Sequence, residues 1–135
     1  VRDALLRDAT ISQTMHFAAQ CNLGLVGIGE VSDLSTMIQA DYLTPQDLAY
    51  VAEHQGVGDI LAQYYDIDGN LIHTPWSERI MGIGLEALRN IENVIGVTAD
   101  VSKRDAVLGA LRGSFINTLI VDIPLAEAIL EVVNS

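Results

Sequence analysis

The sequence predicts an α/β fold: a parallel sheet with helices on both faces, plus a β-hairpin. Two observations carry this. Asn93 to Asp122 reads as strand, loop, helix, strand: Val94, Ile95 and Val97 run into a polar loop, Ser102 to Arg112 repeats Val107, Leu108, Ala110 and Leu111, and Thr118 to Val121 is apolar again. Neither strand alternates apolar with polar residues, the pattern of strands buried on both faces by helices. At 135 residues, half of them hydrophobic, the chain is one domain in length and amply supplied for a packed core.

Taken in order, Val1 to Gln20 is helical in pattern, with Leu5, Leu6, Ala9, Met15, Phe17, Ala18 and Ala19 on an apolar side. No cap precedes it, and the expectation is that a longer chain runs upstream of Val1. Asn22 to Ile28 is the first strand, ending in Gly27-Ile28-Gly29-Glu30. Ser35 to Tyr42 is a short helix or a turn. Thr44-Pro45-Gln46-Asp47 opens a helix to about His54, with Thr as cap and Pro at the first helical position. Val57 to Tyr65 reads as one strand, and Asp66 to Asn70 as a hairpin turn into Leu71 to His73. A loop with the lone Trp76 and a short helix over Glu86 to Arg89 lead into the strand-helix-strand unit. Asp122 then caps a last helix with Pro124 just inside it, packed through Leu125, Ala128, Ile129, Val132 and Val133.

Net charge is −11, from 18 acidic and 7 basic residues, and the basic ones are scattered. Nucleic acid and anionic membranes are therefore poor partners for this stretch, because phosphate neutralisation needs a cationic cluster. A small anion held by one or two local cations is still compatible. No apolar run approaches the roughly 20 residues of a membrane span, and the expected setting is cytoplasmic. Cys21 is the single cysteine, expected to be a buried, inert thiol.

Chemistry is to be sought beyond the carboxyl ends of parallel strands, here the loop Thr98 to Ser102 and the helix start after it. Ser102 and Asp105 have capping-box spacing. Lys103 and Arg104, however, occupy the first turn, where the helix dipole disfavours cations by about 0.3–1 kcal/mol each. A bound anion reverses that sign; the alternative is two side chains pointing into water. Gly27 and Gly29 follow a strand as in dinucleotide sites, but without a third glycine opening a helix they equally serve a sharp backbone turn. Asp59, between Gly58 and Ile60 in a core strand, needs a partner or a ligand unless it is a rim carboxylate. DIDGN from Asp66 opens like a calcium loop, but its glycine is misplaced and Ser77 stands where the closing Glu belongs. His16, His54 and His73 are scattered, and neither Cys21 nor Ser77 sits in a nucleophile motif. No metal, no cofactor and no catalytic residue is expected.

The series LGLVGIGE, LTPQDL, GVGDILAQYYDIDGNLI and RIMGIGLEALRNIENVIGVTADVSKRDAVLGALRGSFINTLIVD resembles the carboxyl-terminal half of the effector-binding domain of SorC/DeoR-type bacterial transcription regulators, over nearly the whole chain. The resemblance implies the three-layer, Rossmann-like fold of glucosamine-6-phosphate deaminase and ribose-phosphate isomerase, used for sensing a sugar or sugar phosphate rather than for turnover. It implies homo-oligomers, dimer or tetramer, and DNA contact through an amino-terminal helix-turn-helix domain outside this chain. It also implies that the first half of the effector sheet, with a Gly/Thr-rich phosphate loop, lies outside residues 1–135. The family's sugar-contacting acid falls on Asp59 and its phosphate-contacting lysine on Lys103, with Gly27 and Gly29 bordering the pocket. Ala99-Asp100 replaces the family's usual Gly-Gly, and no basic residue stands near Gln39 to Asp41, which points to a monophosphorylated or neutral sugar. An isomerase or deaminase on the same fold, and a dimerisation domain without a ligand, are the competing readings.

Overall fold

The computed structural model describes residues 1–135. The chain builds two sheets, leaving the first after one strand and returning to it after completing the second. The first is parallel and three-stranded, in the order β1 (Leu23–Gly27), β6 (Asn93–Val97), β7 (Thr118–Ile120). The second is antiparallel and four-stranded, in the order β2 (Gly29–Glu30), β3 (Gly56–Ile60), β4 (Gln63–Asp66), β5 (Leu71–Ile72). Ile28 alone separates β1 from β2, so the end of the first parallel strand becomes the edge of the antiparallel sheet.

Helices cover both faces of the antiparallel sheet. On one side α6 (Arg104–Arg112) packs through buried Ala106, Val107 and Ala110. It comes close because Gly58 has no Cβ: one added there would stand 2.8 Å from the Gly29 carbonyl and 3.0 Å from Ala106 Cα. Tyr65 Oη donates to the Ala106 carbonyl at 2.9 Å, and Tyr65, Ile60, Phe115, Leu125 and Ile129 belong to the larger core. On the other side α4 (Pro45–Glu53) lays Val51 against Tyr64, Leu43 and Trp76. Thr44 caps its start as the sequence predicts, and Asp47 completes a reciprocal capping box: Asp47 N donates to Thr44 Oγ1 at 3.2 Å and Thr44 N to Asp47 Oδ2 at 2.8 Å.

The parallel sheet differs from expectation on one face. Val26 and Val94 point into the core, whereas Leu25, Ile95 and Thr118, in register across the three strands, point away from it. Leu25 is 72% exposed and Ile120 54%. The missing alternation is real, yet no helix of residues 1–135 covers this second face.

Other local corrections have local causes. The single amino-terminal helix is two, α1 (Arg2–Leu6) and α2 (Ala9–Ala19), because Asp8 caps the second by accepting from Thr10 N and Ile11 N at 2.9 and 3.1 Å. Neither buries a residue, and Phe17 is exposed. Cys21 is exposed rather than buried. The expected strand Val57 to Tyr65 is broken into β3 and β4 by Leu61 and Ala62, both at positive φ (54° and 60°). That is the backbone of a tight primed hairpin turn, built without its usual Gly or Asn and so invisible to composition. The Asp66 turn forms as expected: Asp66 Oδ1 accepts from Asp68 N and Asn70 N, and Gly69 adopts φ 80°. Ser35 caps α3 (Thr36–Gln39), and α5 spans Leu85–Leu88. In α7 (Ile123–Val133), Leu125 and Ile129 are buried but Val133 faces outward.

Candidate functional site

The carboxyl ends of β1 and β6 lie side by side, with Gly27 opposite Val97. Thr98 Oγ1 donates to the Ile28 carbonyl at 3.1 Å, tying the loop after β6 to the junction of the two sheets. A cleft of about 350 Å³ opens there, bordered by Gly27, Glu30, Ser35, Thr36, Asp59 and Lys103. All four residues singled out from the sequence, Asp59, Lys103, Gly27 and Gly29, line it.

Lys103 arrives by a route that corrects the expected cap. Asp100, not Ser102, begins the turn: its Oδ1 accepts from Ser102 N at 2.9 Å, and a 3-10 turn over Val101–Lys103 precedes α6. That bond from Ser102 also holds the Asp100 carboxyl below its ordinary range. Asp100 sits at φ 85°, the left-handed region where glycine is most at ease, which explains why Gly suits this position. Its own N–H donates to the Asp122 carboxylate at 3.3 Å. Asp122 thus braces the loop, and it makes no side-chain cap to α7. The extra carboxylate is consumed by the backbone. Arg104 leaves the cleft, its Nε bonded to Asp105 Oδ1 at 2.8 Å on the exposed surface. Of the two cations in the first turn, only Lys103 reaches the site.

Asp59 lies opposite Gly29 on one side and Tyr64 on the other. Burial pushes its carboxyl above the ordinary range, opposed by the Ala62 backbone and the Lys103 charge. Its presence explains Gly29. A Cβ at Gly29 would overlap Asp59 Oδ1 and stand 3.1 Å from Cγ, so Gly29 makes room for a side chain of the chain itself. Gly27 is different: a Cβ there meets nothing within 4 Å, and its backbone fronts open cleft. Burial, and then Asp59, raise the pKa of Tyr64, which stays neutral.

Sequence reasoning missed Glu30. Its Oε1 lies 3.4 Å from Lys103 Nζ, with the two side chains 19% and 22% exposed. The available signal was an acid directly after Gly29 in the strand-end motif. It also missed that Ser35 and Thr36 close the cleft, since only the tertiary path of the segment after β2 brings α3 there. No group of three His, Cys, Asp or Glu side chains is arranged to hold a metal ion, and no helix is long and apolar enough to cross a membrane. One cation among carboxylates and hydroxyls is suited to a small polyhydroxylated ligand carrying at most a modest negative charge, through charge-assisted hydrogen bonds.

Comparison with known proteins agrees in kind. The Sugar-bind family, described as a sugar-binding domain, matches residues 1–131. Among curated relatives, the deoxyribonucleoside regulator of Bacillus subtilis (strain 168) is 30% identical over 129 residues, covering 96% of this chain and 41% of that protein. The sorbitol operon regulator of Klebsiella pneumoniae is 33% identical over 129 residues, 90% of this chain and 40% of that protein. The chain thus spans about two fifths of the length of these relatives. Among solved structures, the sugar-binding domain of a transcriptional repressor from Vibrio fischeri superposes with a TM-score of 0.87 at 30% identity, over 99% of this chain and 54% of that one. The full-length sorbitol operon regulator SorC from Klebsiella pneumoniae gives 0.86 at 27% identity, over 96% of this chain and 41% of that one.

Proposed function

Because the chain belongs to the Sugar-bind family of sugar-binding domains, we propose that it is the carboxyl-terminal portion of the effector-binding domain of a bacterial transcription regulator that senses a sugar or sugar phosphate. The observation that carries this is the cleft at the carboxyl ends of β1 and β6, where Asp59 and Lys103 meet. In this reading Asp59 accepts hydrogen bonds from ligand hydroxyls, Lys103 receives the anionic group, and the Gly27 backbone borders the ligand. The role is sensing without turnover, a reading supported by relatives that are named regulators.

The bare face of the parallel sheet supports a division of the domain. Leu25, Ile95, Val97 and Ile120 form an apolar surface of the kind a domain interior buries. The first half of the effector domain, outside this chain, packs here and supplies the rest of the pocket. In the whole protein, DNA is bound by an amino-terminal helix-turn-helix domain in the cytoplasm, the effector domains assemble as a dimer or tetramer, and the ligand shifts DNA affinity.

The test is a thermal-shift panel of sugars and sugar phosphates on the full-length protein, where a ligand at a hundredfold its Kd stabilises by about 2.7 kcal/mol. Lys103→Ala weakens a phosphorylated hit by about 1–3 kcal/mol with little loss of stability, as expected for a removed charge-assisted hydrogen bond. Unchanged affinity refutes the role of Lys103. Silence across the panel with an intact fold favours a dimerisation domain.

A further inference from the structure

Glu30 and Lys103 face each other inside the cleft at 3.4 Å, about four fifths buried. Lys103 is the cleft's single cation, since Arg104 is committed to Asp105 outside it. With Asp59 on the same lining, one positive charge is already matched by two carboxylate side chains. A phosphate entering with Glu30 in place meets more negative than positive charge, and like charges at this range oppose binding.

We propose that Glu30 is a specificity-determining residue: its carboxylate occupies Lys103 in competition with the anionic group of the ligand. Neutral sugars bind with the pair intact, and a phosphate monoester binds only by displacing Glu30. The inference rests on the reading of Lys103 as the anion anchor. Glu30 is placed for displacement. It ends the two-residue strand β2, hydrogen-bonded only to β3 at the edge of its sheet, and its side chain makes no other bond than the one to Lys103. Release therefore requires rotation of a side chain at a sheet edge.

The experiment is a thermal-shift titration of the full-length protein with inorganic phosphate at constant ionic strength, for the wild type, Glu30→Gln, Glu30→Asp, Lys103→Gln and the double variant Glu30→Gln/Lys103→Gln. The expected result is a midpoint about three- to tenfold lower for Glu30→Gln, the scale of a partly solvated ion pair. Glu30→Asp, which keeps the charge, stays near the wild type, and both proteins carrying Lys103→Gln lose the response. A Glu30→Gln midpoint equal to or higher than wild type, with the response still lost on Lys103→Gln, overturns the competition and leaves the anchor reading intact. A response that survives Lys103→Gln, or none in any protein, overturns the anchor reading and the competition together. Should Glu30→Gln fold poorly, Glu30→Ala takes its place in the same comparison.

Discussion

The contrast between Gly27 and Gly29 yields a prediction that separates packing from ligand approach. In Gly29→Ala the new Cβ would overlap Asp59 Oδ1 and lie 3.1 Å from Asp59 Cγ and 3.6 Å from Oδ2. The short Asp59 side chain, opposite Gly29 in the ladder, has little freedom to withdraw, so the substitution overpacks the site at about 1–3 kcal/mol. Against this stands a gain of about 0.4–1 kcal/mol from the reduced entropy of the unfolded chain, because the φ of Gly29 is one that alanine adopts without strain. The net expectation is a loss of roughly 0.5–2 kcal/mol. In Gly27→Ala nothing lies within 4 Å of the new methyl, so only the entropic gain remains. Urea unfolding of both variants measures the difference. Repeating Gly29→Ala on an Asp59→Ala background isolates the cause, since the penalty should shrink by most of its value once the carboxylate is gone. An equal cost in both backgrounds, or an equal effect at the two glycines, refutes the assignment of Gly29 to Asp59.

Two further expectations follow from burial. Asp59 has its pKa raised from 3.8, so the folded state binds its proton more tightly than the unfolded state. Stability contributed by this group therefore falls as pH rises above 3.8 through the folded pKa. Asp59→Asn, which cannot ionise, should show a Tm advantage over wild type that grows as pH rises above 3.8 and levels off beyond the folded pKa, while sugar binding weakens; an advantage that shrinks as pH rises refutes the burial account. Phe115 is fully buried, beside Tyr65 and under the Arg89 guanidinium at 4.9 Å. Phe115→Ala should cost about 3–5 kcal/mol in chemical denaturation, and a cost under about 1 kcal/mol would mean that α6 and its flanking loop repack freely.

Much of this architecture could be read from residue order because its signals are short-range. The Thr44 cap with Pro45 at the first helical position, the Asp66–Asn70 turn and the strand-helix-strand run after Asn93 each depend on neighbours a few positions apart, and each forms where residue order predicts it. The cap of the penultimate helix misled for the same reason. Ser102 and Asp105 have the right spacing, but Asp100 competes for the same N–H and wins, with Asp122 from another element bracing it. The β3–β4 turn was illegible because Leu61 and Ala62 are held at positive φ by the sheet around them, not by their own preference.

The candidate site divides along the same line. Residue types and the resemblance singled out Asp59, Lys103, Gly27 and Gly29, since an acid in an apolar strand and a cation at a helix start are anomalies visible one residue at a time. Their meeting in one cleft, the partnership of Gly29 with Asp59 and the pairing of Glu30 with Lys103 depend on contacts across 30 and more than 70 positions of chain. Composition and periodicity specify which segments become strands and helices and which faces are apolar, because backbone preference and the hydrophobic effect act locally on the pattern. Which charges face each other, which glycine is needed for room, and which apolar sheet face stays bare are set only when the two sheets join at Ile28, because electrostatics and close packing depend on distances that exist only in the folded chain.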